Sequence, residues 1–331
     1  MRTAAPREPA LREPALRVLD QVASLDRPGR RIEPLPGGLT NHNYKVMTDD
    51  GWFVARTSSE HSALLAIDRD AEHRNSVAAA STGVAPEVID YQPNLGVLVI
   101  AWVEGRTWSA ADLRNGDNLP RIAAACRRLH AGPRFVNDFD MFAIQRRYLS
   151  IVQQRGFRLP ARYLEFMPTV DAIRTAMFAS AAATVPCHND LLAENIIDSG
   201  GKLWLIDYEY AGNNDPCFEL GNIASESNLG VDQLAELVSL YFGGPSPTEF
   251  ARARLWALMS QYGWTLWASI QDGVSDLDFD FWNWGMEKYD RAVAAFDGAD
   301  LPRLLMDVRQ PVQRPVQRPV DPPVQQGEQR A

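Results

Sequence analysis

The 331-residue chain has three cysteines, Cys126, Cys187 and Cys217. Their odd number and lack of metal-ligand spacing argue for free thiols in a reducing compartment rather than a disulfide framework. No stretch approaches 18 uninterrupted apolar residues, and the start, MRTAAPREPALREPAL, has no apolar core, so neither a membrane span nor a secretory leader is expected. A positive excess is also missing. The formal net charge of -9 argues against nonspecific binding to nucleic acid or anionic membrane. These absences together point to a cytoplasmic protein, with its oligomeric state left open.

What is present suffices for a large core: 46% of the residues are hydrophobic, and the length allows two lobes. The ends do not read as packed domains. Residues 7–16 repeat REPAL twice, and residues 310–319 read QPVQRPVQRP. Proline at this density favours extended, poorly packed chain. The expected division is an N-terminal extension over 1–29, one lobe over 30–103, a second over 104–305 and a proline-rich, disordered tail over 306–331.

Between Arg31 and Arg56 the pattern is strand, glycine turn, strand, Asp50-Gly51 turn, strand. The first turn, Pro36 to Asn41, contains Gly37 and Gly38, whose missing Cβ atoms let backbone amides approach phosphate; an ordinary tight hairpin would look the same. Residues 68–82 read as a helix carrying Glu72 and closed by Gly83. Arg56 and Glu72 are either an ion pair at a phosphate site or two exposed charges. Strands over 87–91 and 97–103 complete a five-stranded, mostly antiparallel sheet. Ala101-Trp102-Val103 then leads to Glu104-Gly105, a candidate hinge where backbone groups would read adenine.

The chemistry concentrates in Pro186 to Asn222. His188, Asp190 and Asn195 form an H-x-D-x4-N run, in which an acid faces an attacking hydroxyl and an amide oxygen five residues on holds a metal. Two apolar runs flank Asp198-Ser-Gly-Gly201, a hairpin signal. Closing the hairpin brings Asn195 opposite Asp207. Two oxygen ligands on adjacent strands suit Mg²⁺, which keeps waters and phosphate oxygens as its other ligands.

With GGLTNHNY at 37–44, Arg56 with Glu72, HNDLLAEN at 188–195 and IDYEYAGNNDPCFELGN at 206–222 in this order, the chain resembles the choline/ethanolamine kinase branch of the aminoglycoside-phosphotransferase-like superfamily over about residues 30–300. It differs from protein kinases in having Arg56 for lysine and Asp207-Tyr208-Glu209-Tyr210 for D-F-G. The resemblance implies an α+β, two-lobed protein-kinase-like fold, with a mostly helical C-terminal lobe around the catalytic hairpin. It also implies ATP and Mg²⁺. Asp190 would orient the substrate hydroxyl and take its proton, and His188 would brace the loop. Asn195 and Asp207 would bind the metal. Gly37, Gly38, Thr40, Asn41 and Arg56 would hold phosphates, with Glu72 pairing Arg56 and Ala101 and Val103 at the base.

The implied acceptor is a small amino alcohol, choline first. Trp264 and Trp267 share one helical face, and with Trp284 and Phe281 they would form an open-sided box of ring faces for a quaternary ammonium; Glu226 would lie near the cation. As a structural reading, these rings are core and Glu226 is a surface charge. Ethanolamine, thiamine or an aminoglycoside are alternative acceptors, the last served by Asp272, Asp276, Asp278 and Asp280. An inactive nucleotide-binding scaffold is the alternative of another class.

Overall fold

A computed structural model of the chain describes residues 13–58, 62–180 and 182–311. Most of the proline-rich tail, from residue 312, and the first REPAL copy lie outside the described residues. The first helix, α1 (Glu13–Leu19), and the turn after it carry Leu19, Val22 and Leu25 on one face. All three are fully buried against Val46, Ala55, Val97 and Val99. The segment expected to be a loose extension is therefore part of the first lobe from α1 onward, because its apolar residues recur at i, i+3 and i+6 and close one face of the sheet.

That sheet is built from β1 (Arg31–Leu35), β2 (Asn41–Thr48) and β3 (Gly51–Ser58), followed by α2 (Arg69–Ser81), β4 (Val88–Gln92) and β5 (Val97–Ala101). Its order is β1-β2-β3-β5-β4 and every pairing is antiparallel. In β2, Tyr44 and Val46 alternate inward, as a half-buried strand requires. Asp68 caps α2 by accepting from the Ala71 amide at 3.0 Å. Asp70 and Glu72 lie in its first turn, where acids complement the helix dipole.

The second lobe runs through β6 (Arg106–Thr107), α3 (Ala110–Arg114), α4 (Leu119–His130), α5 (Met141–Arg155), α6 (Met167–Phe178), β7 (Val185–Cys187), β8 (Ile196–Asp198), β9 (Leu203–Leu205) and β10 (Gly212–Asn214). It ends with α7 (Pro216–Ser227), α8 (Val231–Phe242), α9 (Pro247–Val274), α10 (Phe281–Phe296) and α11 (Leu301–Asp307). The lobe continues past residue 305: Val308 is fully buried, and its carbonyl accepts from Ser180 Oγ at 2.6 Å. The central member is α9, 28 residues long and packed against α5, α7 and α10. Gly221 of α7 lets that helix sit directly on α9, since a Cβ there would run into the backbone of Ala253 and Ala257.

Candidate active site

The hairpin of β8 and β9 pairs Ile196 with Leu205 and Asp198 with Leu203. The Ile206 amide then donates to the Asn195 carbonyl at 3.0 Å, which sets Asn195 beside the start of the Asp207 turn. Asp207 has φ +69 and Asn189 φ +68. Such left-handed backbone at non-glycine residues costs on the order of 1 kcal/mol and persists only where surrounding bonds enforce it. At Asn189 they do. Its amide donates to Glu219 Oε2 at 2.8 Å and its side chain to the carbonyls of Tyr210 and Gly212 at 3.0 and 3.2 Å.

His188 is fully buried. Its Nε2 bonds the Ile206 carbonyl at 2.7 Å, so Nδ1 is the acceptor for the Asp190 amide at 3.3 Å. Asn195 Nδ2 donates to the Asp190 carbonyl at 2.9 Å. Beneath the loop, Glu219 also accepts the His188 amide at 2.8 Å, and Asn222 accepts that of Leu191 at 2.9 Å. One helix, α7, thus holds three of the loop's backbone amides, those of His188, Asn189 and Leu191. Burial alone would push Glu219 up, but the His130 ring 3.5 Å away and the His188 ring and amide outweigh it and hold the carboxyl below its ordinary value. Asp190 goes the other way: burial, then Glu226, Glu209 and Asp207, push it well above the usual carboxylate range, with Lys288 opposing.

In front of the loop is a cavity of about 480 Å³ lined by Gly37, Gly38, Arg56, Asn195 and Asp207, with Ala101, Trp102 and Val103 at its far end. Gly37 and Gly38 have φ of +93 and +88, and a Cβ on Gly38 would press on the Asn41 carbonyl and the Asn43 side chain at 3.0 and 3.1 Å. Arg56 contacts both Glu72 and Asp207. The amides of Ala101 and Trp102 already donate to the carbonyls of Glu87 and Trp52 at 2.8 and 3.0 Å, so neither of these donors is free to read a base.

Thr40 and Asn41 depart from the phosphate-holding expectation. Their side chains donate to the two oxygens of buried Glu209 at 2.7 and 2.8 Å, and Arg69 adds a bond at 3.1 Å while also pairing Glu72 at 2.7 Å. A buried carboxylate without donors would be costly, and the glycine turn supplies them. Arg69 and Glu209 carry no role in the sequence reading. Their only signal there is Glu209 within the quoted 206–222 run.

Residues 31–256 match the profile of the phosphotransferase enzyme family. A solved choline/ethanolamine kinase family protein from Mesorhizobium loti superposes with a TM-score of 0.77 at 31% identity, covering 89% of this chain and 98% of its own. The chain belongs to that family. Among curated relatives, protein LicA of Haemophilus influenzae is 25% identical, with 77% of each chain covered. Mouse ethanolamine kinase 2 is 26% identical, covering 84% of this chain and 79% of its own. The protein is thus a small-molecule kinase with the two-lobed protein-kinase-like fold.

On the far side of the catalytic loop, the kinase does bring the four expected rings together, but closed rather than open-sided. Trp264, Trp267 and Phe281 are buried. Trp267 lies 5.8 and 5.5 Å from the ring centroids of Phe281 and Trp284, and its Nε1 donates to Tyr210 Oη at 3.0 Å. Tyr210 stands edge-on to Trp264 at 4.9 Å. Only Trp284 is half-buried, and Lys288 Nζ sits 4.1 Å from its ring centroid. Glu226, placed by the sequence near a substrate cation, has one oxygen on Lys288 at 2.5 Å, with both side chains buried. Of the acids that would suit a polycation, Asp280 caps α10 and Asp272 pairs with Arg158. Among the described residues no helix is long and apolar enough to cross a membrane.

Proposed function

We propose that this kinase transfers the γ-phosphoryl group of ATP to the hydroxyl of a small amino alcohol of the choline and ethanolamine class. The observation that carries this reading is the convergence of Asp190, Asn195 and Asp207 between the glycine-lined cavity on one side and a ring and carboxylate cluster on the other. ATP fits the first: the cavity's apolar walls from Leu35, Val54, Ala85 and Leu98 suit a base, and its glycine turn suits phosphates.

Asn195 and Asp207 are the residues that would hold Mg²⁺. The donor set fits: Asn195 gives an amide hydrogen to the Asp190 carbonyl, leaving its oxygen for a cation, and Asp207 already faces a cationic partner, Arg56. Bound there, the ion would neutralise charge on the transferring phosphates. Asp190 would accept the acceptor hydroxyl's proton, and its raised affinity for protons suits that task. His188, Glu219 and Asn222 would keep Asp190 in place, which matters because phosphoryl transfer is mostly positioning.

Substrate-dependent ADP release measured across choline, ethanolamine, thiamine and kanamycin tests this. Release with choline or ethanolamine is the expected result. Release with kanamycin alone, or substrate-independent hydrolysis only, would overturn it.

A further inference from the structure

The chain contains three lysines against thirty arginines, and Lys288 alone of the three is buried. Where a chain uses arginine nearly everywhere, a buried lysine marks a place that wants a compact ammonium rather than a planar fork. Its surroundings are those a small ammonium substrate would want: the Glu226 carboxylate at 2.5 Å and the Trp284 face at 4.1 Å. Glu226 lies one turn along α7 from Asn222, whose oxygen accepts the Leu191 amide at 2.9 Å, so the pair borders the acceptor side of the catalytic loop. Glu226 Oε1, opposite the oxygen that Lys288 holds, is buried and has no hydrogen-bond partner among the described residues.

We propose that Lys288 is a specificity-determining residue: by covering Trp284 and engaging one oxygen of Glu226, it leaves the acceptor site a single N–H-seeking carboxylate oxygen in place of an open cation box. The inference rests on the amino-alcohol reading above. A protonated primary, secondary or tertiary amine can donate to Glu226 Oε1, and one N–H is enough. A trimethylammonium cannot donate, and it meets Lys288 where a free ring face would have held it.

The test is kcat/KM along ethanolamine, N-methylethanolamine, N,N-dimethylethanolamine and choline, in the wild-type enzyme and in Lys288→Met. The wild type is expected to change little over the first three and to fall by about tenfold or more at choline, where the last N–H disappears. In Lys288→Met the choline-to-dimethylethanolamine ratio should rise by about tenfold, since the ring face and the whole carboxylate are released. Removing Lys288 strands a buried charge, so the double variant Glu226→Gln/Lys288→Met serves if the single one does not fold. It should show a rise in the same direction, from the released ring face alone. A wild-type preference for choline, a smooth decline with each methyl, or an unchanged ratio in a folded variant would overturn the assignment of Lys288 while leaving an amino-alcohol kinase. Absence of ADP release with all four amines would overturn both.

Discussion

The two faces of the catalytic loop are built on opposite plans. Toward the nucleotide cavity, charged groups form an extended net across the lobes: Arg56 and Arg69 share Glu72, and reach on to Asp207 and Glu209. Several of these groups line or adjoin open space. Toward the ring cluster, a buried pair, Glu226 with Lys288, stands against the Trp284 ring, which in turn packs on Trp267. A polyanionic nucleotide can enter the first net by exchanging partners with it. On the proposal above, the second face recognises its ligand through few polar atoms, Glu226 Oε1 among them.

The sharpest way to break this division is at its boundary. Asp190→Ala should lower kcat by about 10²–10⁴-fold with ATP affinity near wild type, whereas Asp207→Ala should lose comparable activity and weaken ATP binding as well. Isothermal titration with a nonhydrolysable ATP analogue separates the two. Equal loss of nucleotide affinity in both would mean that Asp190 belongs to the nucleotide face.

Next in size is the support common to both faces. Glu219→Gln should cost about 1.5–3 kcal/mol of stability, because an amide accepts one backbone N–H well where the carboxylate accepts two, and kcat should fall more than either KM. The depressed carboxyl also gives a sign in pH. A group whose folded affinity for protons is lowered stabilises above its unfolded pKa of about 4.3 and loses that contribution as pH falls below it. Thermal melts of wild type and Glu219→Gln should therefore differ at neutral pH and converge in acid. A difference that stays constant with pH would show that the carboxylate's charge does not matter to the loop.

On the nucleotide face alone, Arg56→Ala should raise KM for ATP roughly ten- to hundredfold, the range for losing charge-assisted bonds, while KM for the amino alcohol stays within about twofold. A rise in the acceptor KM instead would merge the two faces.

What could be read beforehand follows the same division. The hairpin, the H-x-D-x4-N run and the glycine turn lie within short stretches, where spacing fixes geometry, and the first three strands followed from the meander, whereas the placing of β5 between β3 and β4 did not. The net itself was hidden because its partners are far apart in the chain: Arg69 meets Glu209 140 residues on, and Thr40 meets the same acid across 169. How open the ring cluster is was not legible, for a different reason. Aromatic content announces a cluster but not whether it is open, and Lys288 of α10 meets Glu226 of α7 only once both helices are packed on α9. The packed start of the chain was legible in principle, since Leu19, Val22 and Leu25 share a helical face; the neighbouring repeats obscured it.

The smallest effect probes how the glycine turn is tied down. Thr40 donates to Glu209 Oε1, Asn41 to Oε2, and the Leu39 carbonyl accepts from Gln271 at the end of α9 at 2.7 Å. Thr40→Val removes one donor and keeps the shape. Glu209 retains Asn41 and Arg69, so it is not stranded, and the loss should be close to that of one bond to a charged acceptor seen from a partly buried site, about 1–2 kcal/mol at most. If the tie serves the nucleotide face, this appears as a few-fold rise in KM for ATP, with the melting temperature lowered by only a few degrees and the order of amino alcohols unchanged. A change in amine preference would mean that the net and the buried pair act as one unit, with Glu209 relaying position from the glycine turn through Tyr210 to the Trp267 ring.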